Sequence, residues 1–445
     1  MSSSGPSALF RSQTDGSGVV PLADEPGVNA SFSRLVGSTV LYQTQSVPFT
    51  GFDHRAIWRV EVTGMGRQSL AQTVTDNILR DVAGPWVVYE AVPFTVSRLS
   101  DLTSVLLSGT STRVLAAAVM MAGQESQATY EGHLAGRVVY QRGNNLFSLL
   151  PDGSDLRQLT TIPRGPNGEF TFLGMRGTVG TSVIYAVLSS QFVPDLFAVP
   201  VAGGAAVTLA ADPDNDFLGG VVGSRVVYHR CPFSNGNGGP CDLYSVESNG
   251  SSTVALSTNP GNEFVAEIVG GRVIYTRSVS GQTDVYSVDV GGMSTVPLAT
   301  TPADEAVAGA VGSSVIFRRT KGGLDDLYSI QADGTGDEIA LATFPEDDSF
   351  AGVVGTHVIF ERVMGPNIMT SPRALYSVQA DGSGLVQLTS GTTQDEFAGA
   401  VGDFACFERT QGNHQRDLWC VPADGRTPAM PIATTDMDEY FVTGL

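Results

Sequence analysis

Residues able to do chemistry are thinly spread along this chain. Its five histidines, His54, His133, His229, His357 and His414, fall at unlike positions, so no metal cluster is legible. No Ser, Cys or Lys is marked as a nucleophile, and no GxSxG elbow is present. What recurs is acid. A step of one or two carboxylates appears at Asp214/Asp216, Glu263, Asp304/Glu305, Asp347/Asp348, Asp395/Glu396 and Asp438/Glu439, with earlier counterparts at Asn29, Asp76 and Glu169. Such carboxylates could hold a divalent cation such as calcium, or dock a basic ligand. They could equally cap a turn. The DxDxDG calcium loop is absent, although Asp212–Asp216 is a local acidic cluster.

The elements that position these residues follow from composition and repetition. The chain has 445 residues and a net charge of −20. That charge argues against nucleic acid and anionic membranes as partners, because polyanions need a basic surface. With 52 Gly, 23 Pro and 42% apolar residues, the composition is that of short strands and tight turns, not of disorder. No stretch approaches the roughly 18 apolar residues of a membrane helix. The N-terminus, MSSSGPSALFRSQTDG, lacks the basic start and apolar run of a signal peptide, so a cytoplasmic protein or a mature form without its leader is expected.

An internal repeat covers the chain. One unit reads FLGGVVGSRVVYHR, a variable loop, then DLYSVESNGSSTVALST. Later copies begin FVAEIVGGRVIYTR, AVAGAVGSSVIFRR, FAGVVGTHVIFER and FAGAVGDFACFER. The glycine of the VG step falls at Gly37, Gly84, Gly136, Gly180, Gly223, Gly270, Gly312, Gly355 and Gly402. The first and last are 365 residues apart over eight steps, about 46 per step, the period of a propeller blade. Each unit carries four short β signals, A to D. Examples are A at Phe397–Val401, B at Arg225–Tyr228, C in the DLYSV run and D at Val254–Leu256. Asp-Gly, Asn-Gly or Gly-Gly steps join C to D. Units 1 to 3 are more degenerate, and DLTSVLLSG at Asp101 is a weak strand C.

The expected fold is all-β: a closed β-propeller of four-stranded antiparallel blades, with nine complete units and one split between the termini. The whole chain, 1–445, is read as a single domain. Strands C and D at Ala8–Ser12 and Val19–Leu22 would meet strand A at Tyr440–Leu445, sharing the closing blade and removing exposed edges. Nine or ten blades result, depending on whether the split unit counts. Its missing strand B leaves either a three-stranded blade or a trimmed chain.

ALYSVQADGSGLVQLT at Ala374–Thr389 resembles the blade signature of TolB-like propellers, a blade type also found in the N-terminal propellers of prolyl oligopeptidase-type enzymes. The resemblance extends over nearly the whole chain. It implies the fold, and a binding scaffold with varied partners. The chain departs from it in lacking the Pro-Asp-Gly step near strand B, the GxSxG elbow and the hydrolase domain.

The cysteines can be read through the repeat. Facing residues of an antiparallel pair have a constant number sum. Arg409 opposite Asp417 gives 826, and Cys406 with Cys420 gives the same value. Arg230 opposite Asp242 gives 472, as does Cys231 with Cys241. Two cross-strand disulfides within blades are expected, and with them a periplasmic or secreted location. Four reduced, buried thiols, in a cytoplasmic protein, are the alternative.

Three constellations remain. Because strand A of a propeller lines its channel, Asp216, Glu263, Glu305, Asp348, Glu396 and Glu439 are expected as an acidic ring at the channel mouth, or else as caps on the turn into each blade. Arg230/Asp242, Arg277/Asp284, Arg319/Asp326 and Arg409/Asp417 are expected as cross-strand charge pairs between B and C. The long B–C loops carry Phe49, Phe52, His54, Phe94, Phe192, Phe233, Met364 and Met369, residue types typical of interface anchors, although loop drift alone could place them there. The function expected is a non-catalytic scaffold that binds a protein or peptide through loops on one face, without cofactor. The alternative is a propeller-type polysaccharide lyase or hydrolase, or a carbohydrate-binding protein. An enzyme would gather His, Asp or Arg in the folded ring; a scaffold would show an apolar, loop-built patch.

Overall fold

The computed structural model describes residues 7–46, 55–72, 75–93, 100–117, 119–121, 124–126, 128–162, 173–188, 193–232, 239–365, 367, 371–410, 415–434 and 438–441. These residues form forty short strands and no helix, so no helix is long and apolar enough to cross a membrane. Seven sheets have four antiparallel strands in sequential order. An eight-stranded sheet is two more such units, joined by a single parallel bridge between Arg373 and Gln394. Among the described residues each of the nine units that the VG glycines mark is a four-stranded antiparallel sheet, called here blades 1 to 9. Blade 6 is typical: strands A to D are Asn262–Val269, Arg272–Val279, Gln282–Asp289 and Thr295–Ala299. The weak strand C of blade 2 forms as Asp101–Leu106.

Local sequence explains each blade. The VG glycine makes the A–B turn, where Gly312 has φ 60°, a left-handed conformation that costs glycine little. Strand B then alternates its side chains between two faces. Val273 packs with Val227 and Leu243 of blade 5, while its neighbour Ile274 packs with Val315 and Phe317 of blade 7. A blade is thus apolar on both faces, and adjacent blades bury one another.

The described residues fall into two compact parts. One comprises Met1–Arg11, Val19–Leu218 and Ser248–Ser251 and holds blades 1 to 4; the other comprises Ser12–Gly18, Gly219–Glu247 and Ser252–Leu445 and holds blades 6 to 9. The division falls within blade 5. In the first part, the hairpin Leu9–Arg11/Val20–Ala23 packs Leu9 and Leu22 against Val40, Tyr42 and Val60 of blade 1.

Strand A carries a recurrent bulge. Its register shifts between Phe350 and Gly352 in blade 8 and between Phe397 and Gly399 in blade 9. The glycine after the bulge lies beneath a side chain of the next strand A. A Cβ on Gly309, Gly352 or Gly399 would stand 2.8, 2.5 or 2.3 Å from Phe350, Phe397 or Phe441. Tyr440 and Phe441 were expected to open a strand, but they make no ladder, and 442–445 lie outside the described residues. Phe441 nevertheless covers Gly399 as the strand A of a following blade would.

Candidate functional site

The acidic step divides into two roles. Its first residue caps the preceding blade. Asp304 Oδ1 accepts the Thr283 N–H at 3.0 Å, Asp347 Oδ1 that of Asp325 at 2.9 Å, and Asp438 Oδ1 that of Arg416 at 3.0 Å. Asp76 and Asn29 do the same for Arg55 and Ser7. Its second residue is buried within its own blade. Glu263, Glu305 and Asp348 take Arg277, Arg319 and Arg362 of strand B at 2.8, 2.9 and 2.7 Å. Burial raises the pKa of Glu263 and Asp348, against the pull of their arginines.

The six carboxylates expected to ring a mouth therefore do not present six open charges. Asp216, Glu263, Glu305 and Asp348 are buried. In blade 9 the buried acid is Asp395, paired with Arg409 at 2.7 Å, because Asp395 and not Glu396 faces that arginine in the ladder. Glu396 is partly exposed, and so is Glu439, whose N–H donates to the Arg416 carbonyl. Glu169 lies outside the described residues.

Two of the four B–C charge pairs need a related correction. Arg277 faces Asp284 and Arg319 faces Asp326 in register, as expected. Arg277 Nε takes Glu263 on strand A, whereas Arg319 gives Nε to Glu305 on strand A and both Nη groups to Glu338, just ahead of strand D. Both guanidinium groups also stack on strand C rings: Arg277 lies 4.2 Å from the ring centre of Tyr286 and Arg319 4.4 Å from that of Tyr328.

Of the eight loop residues, Phe49, Phe52, His54, Phe94, Phe192, Phe233 and Met369 lie outside the described residues. Met364 is described and is 41% exposed. It stands at the start of the blade 8 B–C loop, on a cleft of about 370 Å³ shared with Leu324, Pro345, Glu346 and Asp347. Leu324 and the adjoining Phe344 are also 41% exposed. Three large apolar side chains thus crowd the B–C end of blades 7 and 8 beside two acids.

A second cluster escaped the sequence reading. On the strands A of blades 1, 2 and 3, Arg34, Asp81, Tyr130 and His133 converge. Asp81 Oδ1 accepts from Arg34 Nη1 and from the Val82 N–H; Oδ2 accepts from the Tyr130 hydroxyl and lies 2.7 Å from His133 Nδ1. Burial works to raise the Asp81 pKa, but these donors outweigh it and hold the carboxylate below its ordinary range. The Tyr130 phenol is pushed up, by burial and by its bond to Asp81. A signal was present in the repeat. Arg34 and Asp81 occupy the position after the bulge where blades 7, 8 and 9 have Gly309, Gly352 and Gly399.

His229 has a different role. Its Nε2 accepts the Val265 N–H at 2.8 Å, joining blade 5 to blade 6, and burial depresses its pKa to about 4. Among the described residues no group of three or more His, Cys, Asp or Glu is placed to hold a metal ion. Both cysteine pairs are closed as disulfides, Cys231–Cys241 and Cys406–Cys420, with Cα atoms 4.1 and 4.0 Å apart.

No protein family profile and no curated protein matches the chain. Among solved structures it is similar to a puromycin-hydrolysing peptidase of Mycobacterium tuberculosis, at 14% identity and TM-score 0.36, covering 92% of this chain and 61% of that one. It is similar to a protein assigned as TolB from Agrobacterium tumefaciens, at 15% identity and TM-score 0.29, over 52% of this chain and 83% of that one. It is also similar to the β-propeller domain of the trilobed protease of Pyrococcus furiosus, at 13% identity and TM-score 0.32, over 71% and 99%. The chain thus spans under two thirds of the peptidase. The similar structures include the TolB-like and peptidase propellers that the blade sequence led us to expect.

Proposed function

We propose that this chain is a non-catalytic propeller that binds a protein or peptide at the B–C loop end of blades 7 and 8. The observation that carries this reading is the exposed trio Leu324, Phe344 and Met364 beside a cleft. Exposed apolar side chains gathered around a concavity are the usual form of an interface anchor site. Glu346 and Asp347 on the same cleft, in a chain of net charge −20, select the partner's chemistry: an apolar anchor flanked by Lys or Arg. The two disulfides support a periplasmic or secreted location.

The test is fluorescence anisotropy with labelled peptides. A peptide with one aromatic anchor between lysines should bind, and Met364→Asp should weaken it by about tenfold or more. An acidic peptide with the same anchor should bind far more weakly. Equal binding of both peptides, or binding unchanged by Met364→Asp, would refute the assignment.

A further inference from the structure

The Arg34–Asp81–Tyr130–His133 cluster has no counterpart in blades 7 to 9. There the same bulge position is glycine beneath phenylalanine, a purely apolar solution to packing two strands A. Blades 1 and 2 put Arg34 and Asp81 at that position, and blade 3, which keeps Gly132 there, adds the Tyr130 phenol and the His133 imidazole. Packing alone does not ask for them.

The arrangement has a direction. Asp81 is the inner member, with a side chain 13% exposed, and its two oxygens are occupied by four donors. Arg34 and His133 are the outer members, with side chains 44% and 41% exposed. Asp81 engages only Nη1 of Arg34 and only Nδ1 of His133. The carboxylate therefore fixes the imidazole orientation through Nδ1 and leaves Nε2 unengaged by Asp81. Arg34 keeps its Nε and Nη2 hydrogens for another acceptor.

We propose that Arg34 and His133, positioned by Asp81, form a binding site for a carboxylate. The remaining guanidinium edge matches a planar carboxylate in fork geometry. With Nδ1–H given to Asp81, Nε2 adds a further donor only in the imidazolium form. One negative charge suits the site better than two, because Asp81 stands directly behind it. A phosphate dianion would meet that charge within a chain already at −20.

The experiment is NMR of the full chain with 15N-labelled histidine. Acetate, acetyl-trialanine and the amide of acetyl-trialanine are titrated in turn, against chloride at matched ionic strength. The expected result is saturable movement of the His133 ring signals with acetate and with the tripeptide acid. Chloride and the amide should have no such effect. Tighter binding of the tripeptide acid than of acetate would assign the source as a peptide C-terminus; equal binding would assign small carboxylates. Arg34→Gln should weaken the effect about tenfold, and Arg34→Lys, which keeps charge but loses the fork, by less. Movement identical for chloride and acetate, no saturable movement, or movement unchanged in Arg34→Gln would overturn the proposal. Unfolding midpoints of both variants serve as the control for folding.

Discussion

Arg362 Nε lies 2.7 Å from Asp348 Oδ1, and Arg362 Nη2 lies 3.0 Å from Oδ2, in a fork between strands B and A of blade 8. Both side chains are buried, at 5% and 0% exposure. The guanidinium also stacks 3.7 Å from the ring centre of Phe344, beside the proposed cleft. Removing one partner leaves an uncompensated buried charge. Arg362→Met is therefore expected to lower stability by about 3–5 kcal/mol in urea titration. Arg362→Met combined with Asp348→Leu should recover most of that loss, since neither charge remains. A double variant no better than the single one would contradict this account.

His229 gives a pH dependence of defined sign. Its imidazole must be neutral to accept the Val265 N–H, and its pKa falls from 6.5 to about 4. Between those values the unfolded chain binds a proton that the folded chain refuses. Stability from this group is full above pH 6.5 and is lost as pH falls toward 4. The loss amounts to about 3 kcal/mol. His229→Gln, whose amide oxygen can accept the same bond, should flatten that part of the profile. An unchanged profile would place the pH dependence elsewhere.

The disulfides close short loops, of sequence separation 10 and 14. Thiol titration of the denatured, unreduced protein is expected to find no free cysteine, and to find four after reduction. Each bridge should contribute about 2–3 kcal/mol, read as a lower unfolding midpoint when Cys231/Cys241 or Cys406/Cys420 is replaced by a serine pair. Four thiols before reduction would remove the argument for an oxidising compartment.

Asp195 works in the opposite direction. It faces Val187 rather than an arginine in its own blade. Burial, then the charges of Asp216 and Asp212, push its pKa from 3.8 up to about 6. The folded chain therefore binds its proton more tightly than the unfolded chain, a contribution present at low pH and lost as pH rises through 6. Asp195→Asn should stabilise the protein at pH 7–8 by about 1–2 kcal/mol, after discounting for partial exposure. A destabilised variant would show that the carboxylate has a charge partner that outweighs its burial.

Sequence alone determined the blades. Alternating β-branched runs, the VG turn and Asx-Gly hairpins are local signals, and repetition multiplied them nine times. The cysteine pairs followed from strand register, which is arithmetic once a blade is defined. Tertiary structure decided where the charges go. Register placed Arg277 opposite Asp284, but a long side chain chooses among partners on two strands. Arg277 stacks on Tyr286 and pairs with buried Glu263. Of the acidic steps, first residues cap turns and Glu263, Glu305 and Asp348 are buried in ion pairs, the capping alternative being legible in the sequence and the buried pairs not. The Arg34–Asp81–Tyr130–His133 cluster spans residues 99 positions apart, assembled only when three strands A lie side by side. The repeat marked the exceptions at Arg34 and Asp81; only packing of neighbouring blades could show that they meet.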